Sequence, residues 1–129
     1  MNMQAIFDLL SENEKLKRSH TQMNLANLLD RLYHLIDLYP NLLIGLENPH
    51  SYRGYYSDLS LEPSPKGQPI SDLILELESV YNTHLTGYKG GEFLMDKLVP
   101  VWVAYYGNTG VKLMEINDDG ALVTEEETW

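Results

Sequence analysis

Residues 100–107 read PVWVAYYG, and the pattern of this stretch decides the predicted fold. Successive residues from 101 to 106 fall on opposite faces of a strand, and all of them are apolar or aromatic. An apolar run of this length, rich in β-branched and aromatic residues, favours a strand that is covered on both faces. We therefore predict a central strand over 101–106.

The neighbouring residues extend this strand into a sheet. The Asn-Thr-Gly triplet at 108–110 is a turn signal that leads into a strand over 111–116. The Asp-Asp-Gly triplet at 118–120 is a hairpin signal that leads into another strand over 121–124. On the N-terminal side, residues 92–95 predict a further short strand.

The segment from 41 to 81 combines strand and helix patterns. Residues 52–62 are rich in tyrosine and alternate in polarity, which predicts a strand, whereas the PSPKG run at 63–67 predicts a loop. The segment 41–45 is short and apolar, which fits either a strand or a connection from a helix to the sheet. Ser71 is the N-cap candidate of a helix. The predicted buried face of that helix consists of Leu73, Ile74, Leu77, Val80 and Tyr81.

Two helices are predicted in the first 40 residues. Apolar residues at helical spacing over 5–17 indicate the first helix. Thr21 is the N-cap candidate of the second helix, which ends before Pro40. The apolar stripe of the second helix consists of Leu25, Leu28, Leu29, Leu32, Leu35 and Ile36. Such a stripe needs a partner surface, which is either the sheet or a second copy of the chain in a homodimer.

Together these elements predict an α+β fold: an N-terminal helical pair and an antiparallel sheet of about four or five strands with one inserted helix. The chain has 129 residues, which is enough for one domain with one hydrophobic core. We predict a single domain over 1–129. Within it, 1–40 is a helical region, 50–124 is an α+β core, and 125–129 is an acidic tail that frays.

Composition argues against several classes of function. The formal charge of −10 repels duplex nucleic acid and anionic membranes and attracts basic proteins. The chain has no cysteine, which removes disulfides, thiolate catalysis and cysteine-based zinc sites. No apolar run approaches the roughly 20 residues that span a bilayer, and the N-terminus lacks signal-peptide features. We expect a cytoplasmic protein that binds neither duplex nucleic acid nor a membrane.

Two segments combine tyrosine, glycine and a basic residue in the least acidic part of the chain. The 52–56 segment comprises Tyr52, Arg53, Gly54, Tyr55 and Tyr56, and the 87–91 segment comprises Gly87, Tyr88, Lys89, Gly90 and Gly91. Tyrosine rings stack on flat groups, guanidinium fits phosphate or carboxylate, and glycine-rich backbone can present N–H groups to an anion. We predict that the two segments form a shared binding surface for a small anionic ligand.

A purely structural role is the alternative for both segments. Tyrosines pack well on strand surfaces, and glycine-rich segments are typical of turns. The 87–91 segment lacks the ending of a Walker A loop, and the four histidines have no metal-ligand spacing. No Gly-x-Ser-x-Gly elbow occurs. We expect no catalytic residue, no metal and no cofactor. His50 either joins the site of the 52–56 segment or lies in a loop.

Three runs occur here in a fixed order: YRGYYSDLSLEP at 52–63, GYKGGEFLM at 87–95 and PVWVAYYG at 100–107. In this order they resemble a pattern of small, mostly uncharacterised proteins encoded by bacteriophages. The resemblance covers about residues 50–117. It implies a phage or prophage origin, and hence the cytoplasm of a host cell. Small accessory phage proteins often counter host defence, either by binding a host protein or by sequestering a nucleotide signal, and this step is an analogy.

Three functions remain as hypotheses. The favoured one is a non-enzymatic, phage-type accessory protein that sequesters a small anionic ligand, such as a nucleotide second messenger. The second is an acidic inhibitor of a basic host defence protein, such as a nuclease or a CRISPR effector, in which the glutamates at 125–127 mimic a nucleic-acid backbone. The third is a small enzyme that uses tyrosine, lysine or histidine as acid or base, although the sequence shows no nucleophile–base pair.

Overall fold

The computed structural model describes residues 22–52, 58–87 and 91–126. In chain order its elements are α1 (Leu25–Leu38), β1 (Leu43–Ser51), β2 (Leu59–Pro69), α2 (Ile70–Val80), β3 (His84–Thr86), β4 (Glu92–Leu94), β5 (Val101–Val103), β6 (Val111–Ile116) and β7 (Leu122–Glu125). Five strands form one sheet in the order β1-β2-β5-β6-β7, while β3 and β4 form a separate two-stranded sheet. The α+β class is therefore confirmed. The predicted helix over 5–17 lies outside the described residues.

The five-stranded sheet is mixed, whereas we expected an antiparallel one. β2 and β5 run parallel, with Leu59 opposite Val101 and Leu61 opposite Val103. A parallel pair needs a long crossover connection. Here α2 and the β3–β4 hairpin lie between the two strands in the chain and return it to the same end of the sheet. Turn residues in the sequence predict only hairpins between strands that are consecutive in the chain, so they did not predict the parallel pairing of β2 with β5.

β5 is the central strand of the sheet, as predicted, but it is shorter than 101–106. Val101 and Val103 face the main hydrophobic core, whereas Trp102 and Ala104 belong to a second cluster. The pairing continues one residue further, because the Ala104 N–H donates to the Leu61 carbonyl (3.0 Å). Alternation along β5 thus places apolar groups on both faces.

The N-cap of α1 is Asn24 and not Thr21, which lies outside the described residues. The Asn24 side chain accepts from the N–H of Asn27, and the Asn27 side chain accepts from the N–H of Asn24. This reciprocal capping box satisfies two N–H groups that the first turn cannot pair. The predicted apolar stripe lies inside the chain, with Leu25, Leu28, Leu29, Leu32 and Leu35 buried and Ile36 half-buried. No second copy is needed to cover it.

α2 begins at Ile70, so the predicted cap at Ser71 is wrong. Pro69 occupies the N-cap position and makes no side-chain capping bond. The Ile70 N–H instead donates to the Leu42 carbonyl (2.9 Å), and Ser71 is exposed. Tertiary contact therefore replaces the local cap. The predicted inner face is confirmed, with Leu73, Ile74 and Leu77 buried and Val80 and Tyr81 half-buried.

The predicted loop at 63–67 is also wrong, because these residues belong to β2. They pair with β1, where Leu46 lies opposite Pro63 and Ile44 lies opposite Gln68. Beyond Leu61, β2 pairs with β1 alone. A strand with a free side tolerates proline, since the missing N–H leaves no neighbour unpaired. The strand predicted over 52–62 begins only at Leu59 in the described residues.

Candidate functional site

One row of side chains crosses all five strands of the sheet. His50 of β1 lies opposite Ser60 of β2, Ser60 opposite Trp102 of β5, and Trp102 opposite Lys112 of β6, which lies opposite Glu125 of β7. The neighbours of Ser60 and Trp102 along their strands face the main core. Alternation therefore places this cross-sheet row on the face away from the helices. It brings a histidine, an indole and a lysine to one surface.

Four residues of this face hold the stem of the β1–β2 hairpin, and we call them the hairpin anchor: Tyr52, Asp58, Trp102 and Gly110. The Tyr52 and Trp102 rings stack at 4.2 Å with an interplanar angle of 4°. The Trp102 Nε1–H donates to Asp58 Oδ2 (2.8 Å), and the Tyr52 N–H donates to the Asp58 carbonyl (2.9 Å). The Gly110 N–H donates to Tyr52 Oη (3.1 Å). Both flanks of residues 53–57 are thereby fixed to β5 and to the β5–β6 connection.

Within the hairpin anchor, the pKa of Asp58 is shifted. Burial raises the pKa of its carboxyl group, because a charged form is poorly solvated there. The hydrogen bond from Trp102 opposes this change and lowers the pKa. The indole N–H is thus a stabilising partner of the carboxylate, and it fixes the ring at the same time.

His50 is buried in β1 and not in a loop. Its Nε2 lies 3.1 Å from the Ala104 carbonyl oxygen, and its Nδ1 lies 3.2 Å from the Ser51 carbonyl oxygen. The tautomer decides which ring nitrogen carries the N–H, and therefore which of the two carbonyl oxygens accepts it. Glu62 Oε2 lies 3.8 Å from Nε2.

The surroundings of His50 join it to the end of β5. Glu62 Oε2 accepts from the Tyr106 N–H (3.0 Å), and the Tyr106 ring meets the imidazole edge-on at 5.4 Å. Tyr106 itself is half exposed. The His50–Glu62–Tyr106 group therefore connects a buried histidine to the surface beside the hairpin anchor.

Ser60 does not act as a nucleophile in this arrangement. Its side chain is fully buried, and its hydroxyl donates to the Ala104 carbonyl (3.3 Å), the same oxygen that His50 approaches. A serine nucleophile needs a base that accepts its proton and an open path to substrate. Ser60 therefore supplies no nucleophile, and the hypothesis of an enzyme that uses tyrosine, lysine or histidine stays a prediction.

Three of the ten predicted ligand residues lie in the described ranges. Tyr52 is only 2% exposed, and Trp102 covers one face of its ring, so its place in the hairpin is that of a support. Gly87 and Gly91 close the β3–β4 hairpin, where the Gly87 N–H donates to the Gly91 carbonyl. Outside the described residues lie Arg53, Gly54, Tyr55, Tyr56, Tyr88, Lys89 and Gly90. Their assignment stays a prediction.

The two segments belong to neighbouring hairpins. The 52–56 segment begins at the end of β1, and the 87–91 segment follows β3. β3 packs against β1. The fold thus packs a strand of one hairpin against a strand of the other, which the spacing of 35 residues in the chain does not reveal.

Sequence reasoning did not assign Trp102, Asp58 or Gly110 to the site. One signal was available, because a buried indole needs a hydrogen-bond acceptor and Asp58 is the acidic residue nearest the 52–56 segment. Gly110 looked like an ordinary turn glycine. Its N–H bond to Tyr52 depends on a contact across 58 residues of chain.

Within 22–52, 58–87 and 91–126, no three histidine or carboxylate side chains converge as a metal site would require. The two helices of these ranges have 14 and 11 residues, and neither is long and apolar enough to cross a membrane. The sequence matches no protein-family model, and comparison with curated proteins and with solved structures gives no match either. Function is therefore inferred from the chemistry of this chain.

Proposed function

We propose that this protein is a non-enzymatic binding protein that sequesters a small anionic ligand, such as a nucleotide second messenger, with the 52–56 and 87–91 segments. The observation that supports this proposal is the hairpin anchor. Binding residues are often carried on loops that a rigid scaffold positions. Here stacked rings and three hydrogen bonds fix the two flanks of a segment that contains an arginine and two tyrosines.

The described charges on this face of the sheet are mixed, since Lys112 lies there with the carboxylates of Asp58, Glu62 and Glu125, so an anion would depend on the cations of the two segments. Asp58 and Glu62 both accept hydrogen bonds, from Trp102 and from the Tyr106 N–H respectively. Lys112 lies beside Trp102 in the cross-sheet row. Arg53 and Lys89 would add two cations, and Tyr55, Tyr56 and Tyr88 would supply flat rings. A purine or pyrimidine phosphate presents the flat and anionic groups that such residues recognise.

The ordered resemblance to small phage proteins supports a biological setting for this activity. A phage accessory protein that binds a nucleotide signal of host defence would act stoichiometrically, in the host cytoplasm and without turnover. Such a protein needs no catalytic residues.

Isothermal titration with a panel of cyclic and linear nucleotides tests this proposal. We expect one nucleotide to bind, and we expect Arg53→Ala combined with Lys89→Ala to weaken it at least tenfold, since each charge-assisted bond contributes about 1.5–3 kcal/mol. The matched control is Lys66→Ala combined with Lys97→Ala, which removes two exposed lysines elsewhere. If no nucleotide binds at high micromolar concentration, or if the control pair weakens binding equally, the proposal is wrong.

The net charge favours a second candidate function, an acidic protein that inhibits a basic host defence protein. The chain carries 19 acidic and 9 basic residues. Capture of a basic nuclease or CRISPR effector should then fall steeply as salt is raised, because exposed charges are screened. Replacing the glutamates at 125–127 by lysine should abolish capture if they mimic a nucleic-acid backbone, and unchanged capture would remove the tail from this hypothesis.

A further inference from the structure

A groove of about 330 Å³ runs between α1 and α2. Its floor is apolar and its sides carry aromatic rings and carboxylates. The lining residues are Ala26, Leu29, Asp30, Tyr33, Glu78 and Tyr81. This volume is at the lower end of the range for ligand sites, about 300–1,000 Å³, so the groove suits a single side chain.

The groove has two carboxylates that no lysine or arginine of the described residues neutralises. Asp30 comes from α1 and Glu78 from α2, and within the described ranges neither forms an ion pair with a lysine or arginine. Arg31, the nearest base in the sequence, instead contacts Asp118 Oδ1 (2.7 Å) and the Ile116 carbonyl (2.9 Å). The groove therefore presents negative charge from both of its walls.

The negative charge of the groove also acts on Tyr33. Its hydroxyl donates to Glu78 Oε2 (3.1 Å). Burial, then this hydrogen bond, and then the negative charges of Glu78 and Asp30 raise the pKa of the Tyr33 phenol. The phenol therefore stays protonated and directs its proton to Glu78, while its ring, 41% exposed, forms part of the wall.

We propose that this groove binds an arginine side chain from a basic segment of a partner protein. A guanidinium group is cationic, has flat apolar faces and carries a planar fork of donors. Its faces match the rings of Tyr33 and Tyr81, and its donors match the carboxylates of Asp30 and Glu78. Lysine offers charge without the flat faces, and an anion is excluded by the sign of the field. Charge complementarity thus selects the occupant.

This inference does not rest on the proposed anion site. The groove lies on the helices and prefers cations, whereas the 52–56 and 87–91 segments follow β1 and β3 in the chain and carry cations themselves. It agrees with the second candidate function and gives it a location different from the acidic tail. Failure of nucleotide binding would leave the groove untouched.

The test is a titration of the isotope-labelled full chain with an arginine hexapeptide, followed by amide chemical shifts, with a lysine hexapeptide in parallel. We expect shifts at Ala26, Asp30, Tyr33, Glu78 and Tyr81, tighter binding of the arginine peptide, and loss of affinity at high salt. Asp30→Asn combined with Glu78→Gln should weaken binding about three- to tenfold, because exposed ion pairs each contribute little. Tyr81→Ala should remove the preference for arginine over lysine.

The matched control is Glu92→Gln combined with Glu126→Gln, which removes the same charge from two exposed positions outside the groove. Unchanged affinity in the control and loss in the groove variant support the proposal. Equal loss in both pairs would mean that net charge alone attracts the peptide, and the proposal would be wrong. It would also be overturned if the groove amides responded to the peptide only after residues 1–21 were deleted, since the chain's own N-terminus would then be the occupant.

Discussion

Replacing Gly110 by alanine tests the hairpin anchor at its most constrained point. A Cβ atom at this position would lie 1.9 Å from the Val103 carbonyl oxygen and 2.5 Å from the Ala104 Cβ. Neither obstacle is the end of a flexible side chain, so rotation cannot relieve the contact. The backbone that connects β5 to β6 must move, and the Gly110 N–H must leave Tyr52 Oη, to which it donates at 3.1 Å.

The expected cost combines three effects. Forcing a methyl group into a packed site costs about 1–3 kcal/mol, and loss of the hydrogen bond to Tyr52 adds about 1 kcal/mol. The lower conformational entropy of alanine in the unfolded chain offsets about 0.4–1 kcal/mol. We therefore expect the free energy of unfolding to fall by about 1–3.5 kcal/mol, with most of the loss arising from the displaced backbone.

Urea unfolding followed by tryptophan fluorescence measures this loss as a lower midpoint at an unchanged slope. The control is Gly91→Ala, where a new Cβ atom would meet only the Phe93 ring, at 3.4 Å, which is an ordinary contact. Its effect should stay within about 0.5 kcal/mol. A loss below about 0.5 kcal/mol for Gly110→Ala would refute the reasoning, because the strand connection would then have moved without cost.

Three further predictions concern other parts of the fold. Asn24→Ala should lower the free energy of unfolding by about 1 kcal/mol in urea titration, since it removes the capping box, and Asn24→Ser should restore most of it. Burial raises the pKa of Asp58 in the folded chain, so the folded state holds this proton more tightly than the unfolded state and loses stability as pH rises through the raised pKa. The Asp58→Asn side chain can still accept from Trp102, so this variant should be more stable than the unchanged protein at pH 7 in urea titration. The difference in the free energy of unfolding between the two proteins should vanish below about pH 4. An equal difference at pH 7 and below pH 4 would contradict a raised pKa of Asp58. Arg31→Met should cost about 1–2 kcal/mol by thermal and urea unfolding, because it leaves the Ile116 carbonyl without its donor, and Arg31→Lys should cost less.

Local patterns predicted most of the elements of this fold. The leucine stripe predicted the buried face of α1, and the continuous apolar and aromatic run at 101–106 predicted the central strand. The Asp-Asp-Gly triplet predicted the β6–β7 turn, where Gly120 has φ +89°. Each of these signals depends on residues that are close in the chain. Helical spacing and positive φ are local requirements, so a single sequence is enough to reveal them.

The errors share a different cause. The prolines of 63–67 predicted a loop, yet they lie in β2 because the strand has one unpaired side there. Ser71 was the predicted N-cap of α2, yet the Ile70 N–H at the start of the helix donates to the Leu42 carbonyl. The parallel pairing of β2 with β5 spans the whole insertion between them. All three depend on tertiary neighbours, which sequence spacing does not encode.

The candidate site was predicted in part. The 52–56 segment lies between β1 and β2 in the chain, and Tyr52 belongs to the hairpin anchor. Its partners Trp102 and Gly110 come from 50 or more residues away, and their roles depend on a stack and on a hydrogen bond to a backbone N–H. His50 was left open between a loop and the site, and its burial in β1 is set by Ala104 and Glu62 across the sheet.

Among the described residues, β1 and β7 are the outermost strands of the five-stranded sheet, and an outermost strand can pair with a strand of another molecule. β1 discourages addition by its irregularity, since its register shifts around Asn48, which has φ +54°, and Pro49 offers no N–H. β7 discourages it by charge, since it ends in Glu125 and is followed by Glu126. These glutamates therefore protect the protein against self-association through the margin of β7, and this role requires no partner molecule.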